Sequence, residues 1–480
     1  MIRSPRRTLV ALAAATALGS VGVTALAVAQ PAAPAAGDAM PYAVEDFAGY
    51  VPDPAPVPLE ATFNDPAKTA PRPQGVSPSA WGNQNAVRDQ LIDLIQRAER
   101  GSLVRGSVYL FTDDEVRKAL LARKADLRIQ LLLDGDAVAS QVWKPGPDGT
   151  PEAVATGSEY KALSDALGKA EYGQSVDADT AGSFVLACPQ DRGCVGNRVL
   201  APAGGTGEGE SAINHNKFFL FEKVGATSNV VFQASANLTS NHRVGMYNNA
   251  VTIPDAGLYQ EYSRYWKQLL DHGTHGAGLP DNYTTTDVGT YKTYFFPRIE
   301  SDRDIAPGSP VDPRDDAGTD TVVSLLKNVD CKAVPATQVR IGMYAFTRTQ
   351  VADKLREMQS AGCEVQVVHN GDAGNVGSAV KSALATAGLK TLRACEGTEA
   401  GAGALGIHSK YLLIDGTYLG TGGRQLVFTG SHNYTYPNLR SQDETLLKIE
   451  NTGVYEKFRQ NFDKTLLEGG HCNRTYATAP

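Results

Sequence analysis

Neither a Cys-x-x-Cys nor a His-Glu-x-x-His spacing occurs in this 480-residue chain, so a zinc site has little support. Positive charge is scarce too: 45 Lys and Arg face 52 Asp and Glu, a formal charge of -7. A protein this acidic has no general affinity for polyanions and needs a local basic groove to hold nucleic acid, which does not exclude a nuclease. No segment after residue 29 reads as membrane-spanning. Disorder and fibre are excluded by a hydrophobic content of 42%, enough at this length for two or three domain-sized cores.

The first residues place Arg3, Arg6 and Arg7 before an uncharged, Ala-rich stretch from Thr8 to Ala29, closing on Ala27-Val28-Ala29. That pattern is an export signal rather than a retained anchor, so the expected location is secreted and extracellular. Removing residues 1–29 takes away those three arginines and no acid, which moves the formal charge from -7 to -10. Six cysteines in an exported chain favour disulfides. Cys188 and Cys194, in "CPQDRGC", can close a short loop, whereas the pairing of Cys331, Cys363, Cys395 and Cys472 stays open. Eleven of the 26 prolines fall between Pro31 and Pro78, so residues 30–60 are expected to be extended.

An internal repeat organises the rest. "VRGSVYLFTDDEVRKALL" from Val104 matches "VRIGMYAFTRTQVADKLR" from Val339, aligning Tyr109, Phe111, Thr112, Val116 and Leu120 with Tyr344, Phe346, Thr347, Val351 and Leu355. Both copies run on into an apolar strand ending in Gly-Asp, at Asp136 and Asp372. Upstream, Val87, Leu91, Leu94 and Ile95 form one helical stripe, and "TVVSLLKNV" stands in the equivalent place. Helices alternating with apolar strands predict an α/β fold: two pseudo-symmetric units, each a mixed, mainly parallel sheet flanked by helices. The expected boundaries are 61–285 and 286–475.

Within the repeat, "GIHSKYLLIDG" carries His408 and Lys410, and "INHNKFFLFEK" carries His215 and Lys217 at the same spacing. Residues two apart on a strand share a face, so each pair would point one way among apolar neighbours. A buried lysine is costly unless an anion offsets it, and here there are two. Each motif is followed by a strand and a small polar turn, with Ser235 and Asn237 in "ASAN" and Ser431 and Asn433 in "GSHN". One His-x-Lys is usually a surface feature. Turns and surface strands have no reason to duplicate His, Lys, Ser and Asn in the same order.

These residues resemble the phospholipase D superfamily, whose signature is His-x-Lys, four residues, Asp, then Gly-Ser-x-Asn. The second copy matches fully through Asp415, while the first has Glu222 for the acid and Ala234 for the glycine. The resemblance implies a single site between the two units. There His215 attacks phosphorus to form a phosphohistidine, and His408 acts as general acid and then general base. Lys217, Lys410, Asn237 and Asn433 would bind the non-bridging oxygens, with Ser235 and Ser431 in support, and no cofactor or metal is called for. It also implies a carboxylate downstream of the asparagine to orient a histidine. Asp443-Glu444 stand there in the second copy, with Glu444 the expected partner, and Asn248 in the first.

The expected function is that of a secreted, monomeric phospholipase D acting on phosphatidylcholine-type lipids at a membrane or vesicle surface, reached transiently, with no stable nucleic-acid partner. An extracellular metal-independent nuclease and a non-catalytic phosphate-headgroup-binding protein are the alternatives. The remaining histidines, His242, His272, His275, His369, His432 and His471, lack repeated partners and read as surface or structural, His432 being the first exception to consider. An insertion near 137–200 in the first copy either shapes access to the site or is a stabilising excursion pinned by Cys188 and Cys194.

Overall fold

The structure, a computed structural model, describes residues 55–139, 141–145, 151–155, 158–190, 192–197, 212–275, 283–298, 317–372, 374–397 and 404–475. The expected export segment and residues 30–54 lie outside them.

Two large sheets carry the fold. The first runs Glu60–Phe63, Asn249–Pro254, Thr227–Ala234, Lys217–Val224, Leu103–Val108, Arg128–Leu133, Phe184–Ala187 from edge to edge. The second runs Thr284–Val288, Tyr291–Phe295, Thr445–Glu450, Thr421–Gly430, Lys410–Tyr418, Gln338–Met343, Glu364–His369, Thr391–Ala394. The α/β class is as expected, and strands Leu103–Val108 and Gln338–Met343, aligned in the sequence repeat, hold corresponding places in the two orders.

The expectation of mainly parallel sheets is corrected. Only the last three strands of each order pair in parallel, and the other neighbours are antiparallel. The reason is local. The strand that begins at each lysine returns through a two-residue turn, Gly225-Ala226 in one sheet and Leu419-Gly420 in the other, with positive φ at Gly225 (53°), Leu419 (51°) and Gly420 (73°). Two-residue turns of this kind make hairpins, and a hairpin is antiparallel by construction.

Helix formation follows the sequence stripe. Ala86–Arg97 buries Val87, Leu91, Leu94 and Ile95, and Asp113 caps Asp114–Ala122 by accepting the N–H groups of Glu115 and Val116 at 3.1 Å each. One apolar cluster joins both sheets, holding Phe218, Leu220 and Trp266 together with Tyr411, Leu413 and Phe458. A second gathers Leu412 and Ile414 with Ile341, Phe346 and Leu355. Strand Lys410–Tyr418 is therefore packed on both faces, which fixes its register because a one-residue slip would exchange the two cores. That fixed register holds Lys410, the first residue of the strand, in place.

The disulfides are Cys188–Cys194, as expected, and Cys331–Cys363 and Cys395–Cys472. Among the described residues no helix is long and apolar enough to cross a membrane.

Candidate active site

Lys217 and Lys410 open their strands, and His215 and His408 stand in the irregular backbone just before them. The histidines are thus at the strand heads rather than within the strands. The pairs still converge: Lys217 Nζ donates to the His215 carbonyl at 2.7 Å, and Lys410 Nζ donates to that of His408 at 2.8 Å while lying 3.1 Å from each ring nitrogen. All four side chains are buried.

The two halves exchange partners. His215 N donates to the Asp443 carbonyl at 3.0 Å, and His408 N donates to that of Tyr247 at 2.8 Å. The next residue in each case supports the imidazole: Glu444 Oε1 lies 2.6 Å from His215 Nδ1, and Asn248 Oδ1 lies 3.1 Å from His408 Nδ1. Ser431 Oγ donates to Glu444 Oε2, and Ser235 Oγ donates to Asn248 Oδ1 at 3.2 Å. Asn248 Nδ2 donates to the carbonyls of His242 (2.7 Å) and Met246 (3.0 Å), which keeps its oxygen on His408. Residues 246–247 and 406–407 pair as a short parallel ladder, the backbone side of the same exchange.

Burial sets the electrostatics. It pushes Lys217 down to about 7, opposed by Glu444 and Asp134, and drives Lys410 well below its ordinary range, with Lys217 adding repulsion. Both imidazoles are held well below the usual histidine value by burial, then by repulsion from neighbouring titratable groups: Lys217 and Lys410 act on His215, and His242, Lys410 and Lys217 on His408. Glu444 is pushed up to about 8 by burial against the pull of Lys217. The two buried lysines thus face the buried carboxyl of Glu444, with Asp134 also acting on Lys217, and a bound phosphate would offset their charge further. Among the described residues no group of three or more His, Cys, Asp or Glu side chains is placed to hold a metal ion.

Other expected residues fall into two groups. Asn237 and Asn433 are buried, and the side-chain oxygen of each has no partner in the protein. A half-turn of either amide puts NH2 in that place, ready to donate to a ligand. Glu222 and Asp415 are elsewhere. Glu222 accepts the Leu103 N–H at 2.8 Å and Asp415 receives Gln425 at 3.4 Å, neither touching the histidines. Five residues along an extended strand carry each about 16 Å from its lysine.

Several residues at the site escaped the sequence reading. Tyr109 and Tyr344, a matched pair of the repeat, lie with ring centroids 5.3 Å from His215 and 4.4 Å from His408, and carry the lysine ammoniums at 5.4 and 5.0 Å. Their pairing in the repeat was the available signal. The His242 ring lies tilted against His408 and Asn438 approaches His215, whereas His432 packs on Phe296 and Arg348. The Asp443 side chain accepts the N–H groups of Val195 (3.1 Å) and Gly196 (2.6 Å), anchoring the segment that follows the Cys188–Cys194 loop.

A Cβ at Gly196 would collide with the Ser441 carbonyl oxygen. Gly196→Ala is expected to cost about 1–3 kcal/mol by overpacking and to lower activity, because the displaced loop releases Asp443 next to Glu444. Thermal melts and turnover of the purified variant check both.

Residues 332–466 match the family described as "Cardiolipin synthase, PLD-like domain". Among solved structures, the chain is similar to the polyphosphate kinase of Porphyromonas gingivalis (9% identity, TM-score 0.45, covering 83% of this chain), of which it spans only about half, 51%. It is also similar to the phosphatidylserine synthase of Haemophilus influenzae Rd KW20 (11% identity, TM-score 0.47, covering 81% of this chain and 85% of that one). A third similarity is to Nuc from Salmonella typhimurium, a phospholipase D family member (20% identity, TM-score 0.25, covering 34% and 94%). No curated protein matches the chain.

Proposed function

We propose that the chain is a phosphodiesterase of the phospholipase D superfamily in which two pseudo-symmetric halves build one site. The observation that carries this reading is the exchange of supports, Glu444 to His215 and Asn248 to His408. Each histidine depends on the opposite half, as a single shared phosphate requires.

The unequal supports divide the labour. Glu444 accepts from His215 Nδ1, leaving the Nε2 lone pair free and more basic. His215 Nε2 attacks phosphorus, the P–N bond forms as the P–O bond to the leaving group breaks, and His408 Nε2–H passes its proton to the departing alkoxide. Asn248, a neutral amide, stabilises the His408 cation less than a carboxylate would, so His408 is the stronger acid. Water then attacks phosphorus while His408 takes its proton and the P–N bond breaks. Lys217, Lys410, Asn237 and Asn433 hold the non-bridging oxygens, with Ser235 and Ser431 steadying the supports.

Nucleic acid is the substrate class we place first. Arg88 and Arg243 line, together with Asp113, the same depression as Asn237, His242 and Asn248, where Arg88 also pairs with Asp89 at 2.8 Å and Arg243 with Asn85 at 2.7 Å. A lipid must be drawn along an apolar face. Among the described residues the large apolar side chains left exposed are Val138, Tyr172, Val244, Val334 and Leu419, far apart in sequence. The lipid reading is kept because the matched family is described as cardiolipin synthase. Export through residues 1–29 and action outside the cell, as a monomer, are part of the proposal.

The test begins with bis(p-nitrophenyl) phosphate in EDTA, where nitrophenolate release is expected because lysines supply the positive charge. Loss of activity restored by zinc would overturn that mechanism. Plasmid DNA and phosphatidylcholine vesicles with ethanol are then compared. Nicking that falls steeply with salt is expected, and release of choline with phosphatidylethanol but no nicking would replace the nuclease reading with the lipid one.

A further inference from the structure

His242 stands at the site, yet a two-histidine reaction gives it no part. It also breaks the repeat. The fifth residue after Asn237 is His242, and the fifth after Asn433 is Asn438. Both sit on short helices, Ser240–Val244 and Tyr436–Arg440, and both reach the histidine of the opposite half. The His242 and His408 ring centroids are 4.0 Å apart, and Asn438 Nδ2 lies 3.4 Å from His215 Nδ1.

Hydrogen bonding decides what His242 carries. Its Nδ1 accepts the backbone N–H of Asn237 at 3.0 Å, so a neutral ring holds its proton on Nε2. That Nε2 is 3.4 Å from the Nδ2 position of the Asn237 side chain. Two N–H donors cannot face each other. The amide resolves the conflict by presenting its oxygen to His242 and turning its NH2 to the position now held by Oδ1, which is buried and without a partner in the protein. An NH2 there has only a ligand to meet.

We propose that His242 is a positioning residue: fixed in its Nε2–H form by the Asn237 backbone, it turns the Asn237 amide so that its NH2 meets the bound phosphate, while its ring braces His408. The second half-site achieves its support differently. There Asn438 donates to Gln442 Oε1 at 2.8 Å and approaches His215. The two asparagines of the repeated motif are therefore unequal, Asn237 being set by a neighbouring side chain. This inference rests on the phosphodiesterase reading for the identity of the ligand as phosphate, and its test includes an anion that is not turned over.

The experiment is a double-mutant cycle of His242→Ala and Asn237→Ala, read by turnover of bis(p-nitrophenyl) phosphate and by tungstate affinity in calorimetry. His242→Ala is expected to lower kcat about 10- to 100-fold with little change in KM, because an oxyanion donor acts mainly in the transition state. Tungstate should bind about 5- to 10-fold more weakly, and neither loss should grow in the double variant. Additive losses would overturn the proposal. His242→Asn, which places the residue of the other half here, keeps a polar side chain should alanine unfold the helix; activity equal to wild type in that variant would also overturn it. Wild-type protein that binds tungstate with intact coupling but hydrolyses no diester would sink the phosphodiesterase reading alone, and wild-type protein that binds no tungstate would sink both.

Discussion

Replacing either His215 or His408 by alanine is expected to lower turnover by about 10^4-fold or more, and replacing both to be scarcely worse than replacing one. On the proposed mechanism the two imidazoles serve one phosphorus: attack without proton donation stalls, and donation without attack has nothing to assist. Steady-state rates of the two single variants and the double variant decide this, since additive losses require two independent sites. Only one histidine should carry phosphorus. In His408→Asn, quenched with substrate at low pH, the label is expected on the peptide holding His215, whose Glu444 support frees Nε2 for attack. Label on a peptide lacking His215 would reverse the assignment.

Lys410→Met is expected to move activity and stability in opposite directions. Loss of a charged donor from a water-poor site should lower kcat about 10^2- to 10^3-fold. The same change removes a buried charge repelled by Lys217, so the thermal midpoint of the free protein should rise by about 2–5 °C. Tungstate should protect the wild type most below about pH 7. Lys217, held at about 7 instead of its ordinary 10.5, is charged below that point and must take up a proton to hold an anion above it. Glu444, pushed up to about 8, gains negative charge as pH rises through that value and repels the anion further. Without ligand, Lys217 alone makes the fold more stable between about 7 and 10.5 as pH rises, because only the unfolded chain still binds that proton. Melting curves with and without tungstate from pH 5.5 to 9 check the sign. A midpoint that falls in Lys410→Met, or protection that grows above pH 8, would contradict this electrostatic account.

What could be read from sequence was whatever the repeat showed twice. The His-Lys pairs, the Ser and Asn that follow them, and the helix stripe at Val87 and Leu91 each had a second witness or a clear period, and the structure buries all of the polar ones. The strand direction was misread because alternation of helix and strand describes only the first part of each half, while the hairpin turns at Gly225 and Leu419-Gly420 are single small signals inside apolar runs. Glu222 and Asp415 complete the signature in sequence, and along their strands each stands about 16 Å from its lysine. His242 was passed over because its counterpart in the other half is Asn438, so comparing the copies hid it. Which half supports which histidine is a fact of tertiary packing, and no local pattern encodes it.

That crossing of supports has a consequence for how such a chain can change over generations. A substitution at Asn248 is felt by His408, 160 positions away, and one at Glu444 by His215, 229 positions away. Neither half is then a separate unit of inheritance. A recombination that exchanged the stretch holding one histidine for that of a relative would leave both histidines facing a stranger's side chain, so the two stretches are bound to vary as a pair.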